Sequence, residues 1–424
     1  MDSPSILAKI LSVSRTLLDF LIEKANRLAL NHSQDMDRYD VAVIGAGPTG
    51  SMAAKYAALR GAYTVLLEEH ASIGWPVECA GLLGNKALEE SELPMGKFVL
   101  RGLKGAKVFS PNASISFKSK SYKAWVVERK LLDRALALEA VKNGAELRLN
   151  SPAREFRRED DGCVLTVGNG EQIRADVVIS AEGVRARIAR KAGIVPVKRI
   201  LSGAQVEAPF SVEDPERVEV HFGPAPGLFA WVVPIADEAA RIGLCASDNG
   251  CRYLRAFLQK DIIRKRLLGS PVGLVVGGLP LGPPVATVMD RFLAVGDACG
   301  QVKPTSGGGI YPGLVCAKIA GSVAASASKE GDCSAERLRE YDRMWRARLG
   351  KELEIGMRVN KLLNRMGQDE LDEALSFLAR KPELLKAIEE HGDIDRPSIL
   401  MARMLPHVGL NGIKLARLLR HALD

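Results

Sequence analysis

The 424-residue chain is poor in aromatic residues, at 5% of the total, and its six histidines are scattered without metal-ligand spacing. Its seven cysteines, at positions 79, 163, 245, 251, 299, 316 and 333, form no CxxC pair. These absences argue against a structural zinc or a cysteine-bound iron–sulfur cluster, so no metal site is assigned. An odd number of unpaired cysteines points to a reducing, cytoplasmic compartment rather than a disulfide framework. No stretch reaches 18 uncharged apolar residues, so no membrane-spanning helix is expected. Internal repeats and low-complexity tracts are lacking too. The formal charge of +8 suits anionic lipid headgroups, an acidic redox partner or nucleic acid. With so few aromatics and no recognition-helix or stacking motif, nucleic acid is set aside.

What is present begins with two amphipathic ends. Residues 6–30 carry apolar positions such as Leu7, Leu11, Leu18 and Leu21, with Lys9, Arg15, Lys24 and Arg27 among them. The segment reads either as a helix in a membrane interface or as one packed on the body. It lacks the pattern of a signal peptide, and Met36-Asp-Arg-Tyr-Asp40 resembles a natural beginning. Residues 411–420, with Lys414, Arg417 and Arg420, form a second basic amphipathic stretch with the same two readings.

The most informative segment is Asp40-Val-Ala-Val-Ile-Gly-Ala-Gly-Pro-Thr-Gly50. It reads as a strand, a glycine turn and a helix start. Gly45 allows the tight turn, Gly47 lets a pyrophosphate approach the backbone, and Gly50 lets the helix pack close to the sheet. Glu68 ends the apolar run 63–67, where a carboxylate would accept hydrogen bonds from an adenosine ribose. Strand, turn, Ala-rich helix and acid together predict dinucleotide binding.

Farther along, residues 99–108, 114–117 and 124–127 alternate like strands, and 129–143 has helical spacing that stops at Gly144. Residues 146–149 and 164–167 read as β segments, and 175–180 as a buried parallel strand. Residues 200–285 are β-rich. Residues 292–298 return to the parallel-strand style, followed by a helix over 313–327. Residues 334–424 are mainly helical, with a break near 393–397.

Several motifs stand together: the glycine turn with Glu68, Pro76-Val-Glu-Cys-Ala-Gly81, Val127-Glu-Arg129, Phe229-Ala-Trp-Val-Val-Pro234, and Gly296-Asp-Ala-Cys-Gly-Gln-Val-Lys-Pro-Thr-Ser-Gly-Gly-Gly-Ile310. Together they resemble the geranylgeranyl reductase family of FAD-dependent oxidoreductases, most of all its archaeal lipid-reducing branch, over about residues 37 to 350.

The resemblance implies a mixed α/β chain with the p-hydroxybenzoate-hydroxylase-like fold. A Rossmann FAD-binding domain would occupy 37–105, 125–199 and 286–330. An inserted antiparallel-sheet substrate domain would occupy 106–124 and 200–285. An N-terminal extension (1–36) and C-terminal helices (331–424) complete the expected organisation. By position, Gly45, Gly47, Pro48, Gly50, Glu68 and Glu69 would hold the ADP half of FAD. Arg129 would reach the phosphate or ribityl region, and Asp297 a ribityl hydroxyl. Gly308, Gly309 and Ile310 would begin the helix beneath the flavin ring, with Cys79 and Ala80 in the loop facing it. Phe229, Trp231 and Pro234 match the substrate-side aromatic motif. The chain departs from the family at Phe229 and Val233, where aromatic side chains are usual and tyrosine stands first. It departs again at Glu182, where aspartate is usual. Gly300 stands where aromatic hydroxylases carry histidine, which favours reductase chemistry.

The implied reaction saturates isolated C=C bonds of prenyl chains in ether-lipid precursors. It needs a hydride and a proton on adjacent carbons, and Cys79, Tyr311 or an ordered water are the candidate proton donors. Lys303 reads either as added positive charge near the flavin or as a solvated loop lysine. A lone histidine at a strand end, His221, is left as structural. A prenyl chain of about 20 carbons prefers an apolar phase by on the order of 10 kcal/mol, so peripheral membrane contact is expected. No second glycine motif follows, so electrons are expected from outside: ferredoxin, NAD(P)H or a reduced deazaflavin. The alternatives are an FAD-dependent aromatic monooxygenase or halogenase, a quinone-linked electron-transfer flavoprotein dehydrogenase, and a flavin-bearing lipid-binding protein. The dehydrogenase lacks its expected cysteine cluster here.

Overall fold

A computed structural model describes residues 36–404; the amphipathic stretches 6–30 and 411–420 lie outside them. Eight strands build the first sheet. The path β17 (Val288–Met289), β18 (Phe292–Ala294), β11 (Glu171–Ser180), β1 (Asp37–Ile44), β2 (Thr64–Leu67), β8 (Glu146–Arg148) carries β10 (Gly162–Val167) and β9 (Ala153–Glu159) on β11. The β18–β11–β1–β2–β8 pairings are parallel. The second half of β1, Val41–Ile44, shows why its sequence is wholly apolar. Val41 and Val43 enter one core while Ala42 and Ile44 enter the other, as a strand covered on both faces requires.

One core is closed by α1 (Pro48–Leu59), α2 (Asn85–Ser91), α3 (Arg129–Lys142), α7 (Ile310–Glu330) and α8 (Ala335–Trp345). α1 and α7 are rich in Ala and Gly, which lets their backbones approach closely. The other core is closed by α4 (Arg187–Lys191) and the β9–β10 hairpin.

The second sheet has seven strands in the order β16 (Gly273–Pro280), β12 (Ile200–Pro209), β15 (Ala239–Ala246), β14 (Gly227–Ala236), β13 (Arg217–His221), β5 (Gly105–Phe109), β6 (Ser114–Lys118). Only the β13–β5 pairing is parallel. α5 (Gly250–Leu258) and α6 (Asp261–Arg264) cover one face through Leu254, Phe257 and Ile263. A small sheet, β3 (Leu82–Gly84), β7 (Ala124–Val127), β4 (Val99–Leu103), joins the two halves. Helices α9 (Lys351–Leu363), α10 (Gln368–Ala379), α11 (Pro382–His391) and α12 (Pro397–Met404) follow α8.

Two local expectations need correction, and one strand went unread. The alternation over 99–108 is not one strand: it breaks at Lys104, and its halves join different sheets. β9, Ala-Arg-Glu-Phe-Arg-Arg-Glu, carried no apolar alternation because only Ala153 and Phe156 pack on the core. The late helix starts at Ile310, not Gly313. That helix, α7, is the one described element long and apolar enough to cross a membrane. Of its most apolar window, 78% is buried inside the fold, so its hydropathy reflects a core position.

Candidate active site

A cavity of about 1150 Å³ is walled by the first sheet, the inner face of the second sheet and the C-terminal segment 388–400. On the first-sheet side, β1 ends at Ile44 and the chain turns through Gly45 (φ +94°) into α1. A Cβ on Gly50 would overlap the carbonyl oxygen of Gly45, whereas the space beside Gly47 is open. Gly47 is the N-cap of α1 and supplies no side-chain cap; Gly309 does the same for α7. Two helices of 12 and 21 residues therefore bring uncapped N-termini to one cavity. Their free N–H groups and partial positive charge suit an anionic, phosphate-bearing cofactor. Pro48, Gly308 and Ile310 line the same wall.

Glu68, at the end of β2, accepts from the backbone N–H of Ala46 (3.0 Å) and of His70 (3.0 Å) and meets His70 Nδ1 at 2.6 Å. The glycine turn and the second strand are thereby locked in register. Glu69 also lines the cavity and pairs with Arg185 at 3.4 Å. Asp297 lies in the turn after β18, at the base of the cavity against Gly309. Loss of hydration lifts its carboxyl to about 6, against the opposing pull of Arg129.

Arg129 opens α3 and grips Asp133 with two parallel bonds of 2.9 Å. Burial alone would depress its guanidinium, but the Asp133 carboxylate holds it firmly charged. The Cys79 thiol thus lies beside a fixed cation, and its sulfur accepts from the Gly81 N–H at 3.3 Å. Cys79 and Ala80 both line the cavity.

Two residues that sequence reasoning missed hold this loop. Gln205, on β12, donates to the Cys79 carbonyl (3.2 Å) and accepts from the Trp231 indole (2.9 Å). An indole N–H can only donate and a carbonyl only accept, so this amide orientation is forced. Arg241, on β15, donates to the carbonyls of Ala80 (3.3 Å) and Val127 (3.0 Å) and pairs with Glu128 (3.0 Å) and Glu207 (3.3 Å). Gly81, at φ +72°, packs so tightly that a Cβ would overlap Arg241 Nη1. The available signal was a polar residue flanked by apolar ones: Gln205 between Ala204 and Val206, and Arg241 between Ala240 and Ile242.

The second-sheet side is mostly apolar. Phe229, Trp231 and Val233 face the cavity from β14, and Ala106, Val108, Phe117, Val218 and Val220 extend the wall. Two expected residues, Pro234 and Tyr311, sit elsewhere than the sequence suggested, while Lys303 lines the cavity beside Gly308 but is not a solvated loop lysine. Pro234 follows Val233 and, by the two-residue period of a strand, turns to the opposite face; it does not line the cavity. Tyr311 lies one position beyond Ile310, about 100° around the helix. It is buried in the core at 4% exposure, does not line the cavity, and engages Arg396. Lys303 is not solvated. It is buried and bonded to Asp395 (2.5 Å) and the Ile394 carbonyl (3.1 Å), so the C-terminal segment largely neutralises its charge. His221 is buried, stacked on Phe109 and bonded to Glu219 at 3.2 Å. Among the described residues no cluster of His, Cys, Asp or Glu could hold a metal ion.

Uncapped helix ends, an acid at the end of the second strand and an apolar extension suit a flavoprotein site. A family model described as FAD dependent oxidoreductase matches residues 119–256, and the chain is an FAD-dependent oxidoreductase of the p-hydroxybenzoate-hydroxylase-like fold. A digeranylgeranylglycerophospholipid reductase of Methanocaldococcus jannaschii is 37% identical over 388 residues, covering 84% of this chain and 98% of that relative. The chain belongs to that reductase family. A geranylgeranyl bacteriochlorophyll reductase-like protein of Thermoplasma acidophilum has a solved structure with a TM-score of 0.79 and 26% identity. That match covers 91% of this chain and all of the other. A flavin-dependent brominase matches with a TM-score of 0.68 at 15% identity, over 91% of this chain and 98% of its own. That likeness is one of fold alone and lends the halogenase alternative no chemistry.

Proposed function

We propose that this chain saturates isolated C=C bonds of geranylgeranyl chains in membrane ether-lipid precursors. The observation that carries this reading is one continuous cavity. It runs from the uncapped starts of α1 and α7 to the apolar inner face of the second sheet, in a chain of this family.

Reduced FAD, when bound, supplies the hydride for one alkene carbon. Gly45, Gly47, Pro48, Gly50, Glu68 and Glu69 hold the ADP half. Arg129 and Asp297 hold the phosphate and ribityl region. Gly308, Gly309 and Ile310 would present the N-terminus of α7 to the ring, with Ala80 in the loop that lines the same cavity. Phe229 and Trp231 hold the prenyl chain and exclude water. The Cys79 Sγ–H gives a proton to the neighbouring carbon, and Arg129 stabilises the thiolate left behind until solvent restores the proton. Two electrons and two hydrogens are thus added across each bond. Electrons enter from an external donor, because the chain has one dinucleotide motif. The enzyme works as a peripheral protein on the cytoplasmic face of the membrane, where its substrate resides.

The test is anaerobic. Purified holoprotein is reduced with dithionite and mixed with digeranylgeranylglyceryl phospholipid. Flavin reoxidation matched by a lipid mass gain of about two units per bond is expected. Stable reduced flavin with unchanged lipid would contradict the reading.

A further inference from the structure

β16 is the edge strand of the second sheet, and its two faces differ in use. Val275, Gly277 and Leu279 line the cavity. Leu274 and Val276 pair with Val206 and Ala204 of β12, so they lie on the face that α5 and α6 cover. The helices stop short of this last row. Leu274 is 65% exposed and Val276 49%. Val272, at 75%, and Leu268, at 56%, continue the strip along the edge of β12, with Ile262 of α6 also exposed. A long apolar edge open to water invites association and is normally blunted by charge or proline. Here it is left bare.

The flank is basic. Between Arg252 and Leu268 the chain has six basic residues and one acid. Arg252, Arg255, Lys260, Arg264 and Lys265 are exposed. The acid, Asp261, is shared between Arg264 and Lys265. An apolar strip beside a cationic flank complements an anionic bilayer, whose headgroups meet the lysines and arginines while the strip enters the acyl boundary. A bilayer surface meets both features at once, with anionic headgroups above an apolar interior.

Building on the proposed function, we propose that the β16 edge and the α5–α6 flank form the surface on which this enzyme docks to an anionic lipid bilayer. A single strand then separates bilayer from cavity. Its inner face also meets the catalytic loops: Leu279 packs at Gly307 and Gly277 at Glu78. A prenyl chain crossing this edge would arrive beside Cys79 without traversing water.

The test uses full-length holoprotein and flotation with vesicles of phosphatidylglycerol and phosphatidylcholine, against phosphatidylcholine alone. Wild type is expected to float with the anionic vesicles. Val272→Ser, Leu274→Ser and Val276→Ser together are expected to lower its partitioning about tenfold or more. Lys260→Glu with Arg264→Glu is expected to act similarly and to flatten the salt dependence. Both variants should retain wild-type FAD content and reduce detergent-dispersed lipid at the wild-type rate, which shows that the site is intact. Variants that float like wild type would overturn the proposal. So would a wild-type dimer that the serine variant converts to monomers without changing flotation, because the strip would then bind a second copy of this chain. Flotation requires no turnover. Lost flotation in the variants, alongside a wild type that leaves the lipid unreduced, would support the docking surface and refute the reductase reading.

Discussion

The two walls of the cavity are built by different means. The first-sheet wall is backbone: a glycine turn, two helix starts and the short segments leading into them. The second-sheet wall is side chains, drawn from strands remote from the loop they hold; Gln205 is 126 residues from Cys79. Phosphates are recognised by N–H groups, which every residue but proline has, so the phosphate-facing part of the first wall is specified by where side chains are absent. A prenyl chain offers no polar group, so the second wall is specified by volume, by the strand period and by the one hydrogen bond that the Trp231 indole gives to Gln205. The first wall tolerates no bulk, while the second can be reshaped gradually.

The sharpest break in this contrast is Gly50→Val. Its side chain would overlap the Gly45 carbonyl, and the cost is about 3 kcal/mol or more. The purified protein should carry no FAD, measured by absorbance, and should melt several degrees lower. A Cys79→Ser variant should keep full flavin but slow lipid-driven reoxidation by about 10²–10⁴-fold. Stopped-flow absorbance of reduced holoprotein would read this, and an unchanged rate would remove the thiol from the mechanism.

Gln205→Leu tests the bridge between the walls. Trp231 and the Cys79 carbonyl would each lose a partner, and turnover should fall about tenfold with FAD content unchanged. Gln205→Glu should recover activity as pH falls, because only the protonated acid can donate to the carbonyl while accepting from the indole. A flat pH profile would mean that the glutamine merely fills space.

The smallest effect concerns Asp297. Burial raises its carboxyl to about 6 in the folded chain, above its unfolded value of about 3.9. Its contribution to stability is therefore full below about pH 4 and lost as pH rises through about 6. Apoprotein should lose about 1–3 kcal/mol across that window, and Asp297→Asn should abolish the change. Denaturant titrations at pH 4, 5, 6 and 7 would measure it.

The contrast also explains what the sequence revealed. The glycine turn, Glu68, Asp297 and the start of α7 were legible because their spacing is local and their chemistry is that of the backbone. Phe229 and Trp231 were legible as a motif, but Pro234 was assigned to the same wall because the motif ignores the two-residue period. Tyr311 failed for the equivalent reason on a helix: one step from Ile310 turns the side chain into the core. Arg241 and Gln205 were invisible because their partners are remote in sequence. So was the fate of Lys303, whose partner Asp395 is 92 residues away.

The most direct test of the two-walled cavity is to fill one side and leave the other intact. Val220→Trp places bulk in the apolar wall, on β13 and away from both helix starts. Flavin content and anaerobic reoxidation by lipid would be measured on the same sample. The account predicts full FAD, normal reduction by dithionite and loss of lipid-driven reoxidation. Lipid reduction at the wild-type rate in this variant would show that the prenyl chain does not occupy the second-sheet side, and would contradict it.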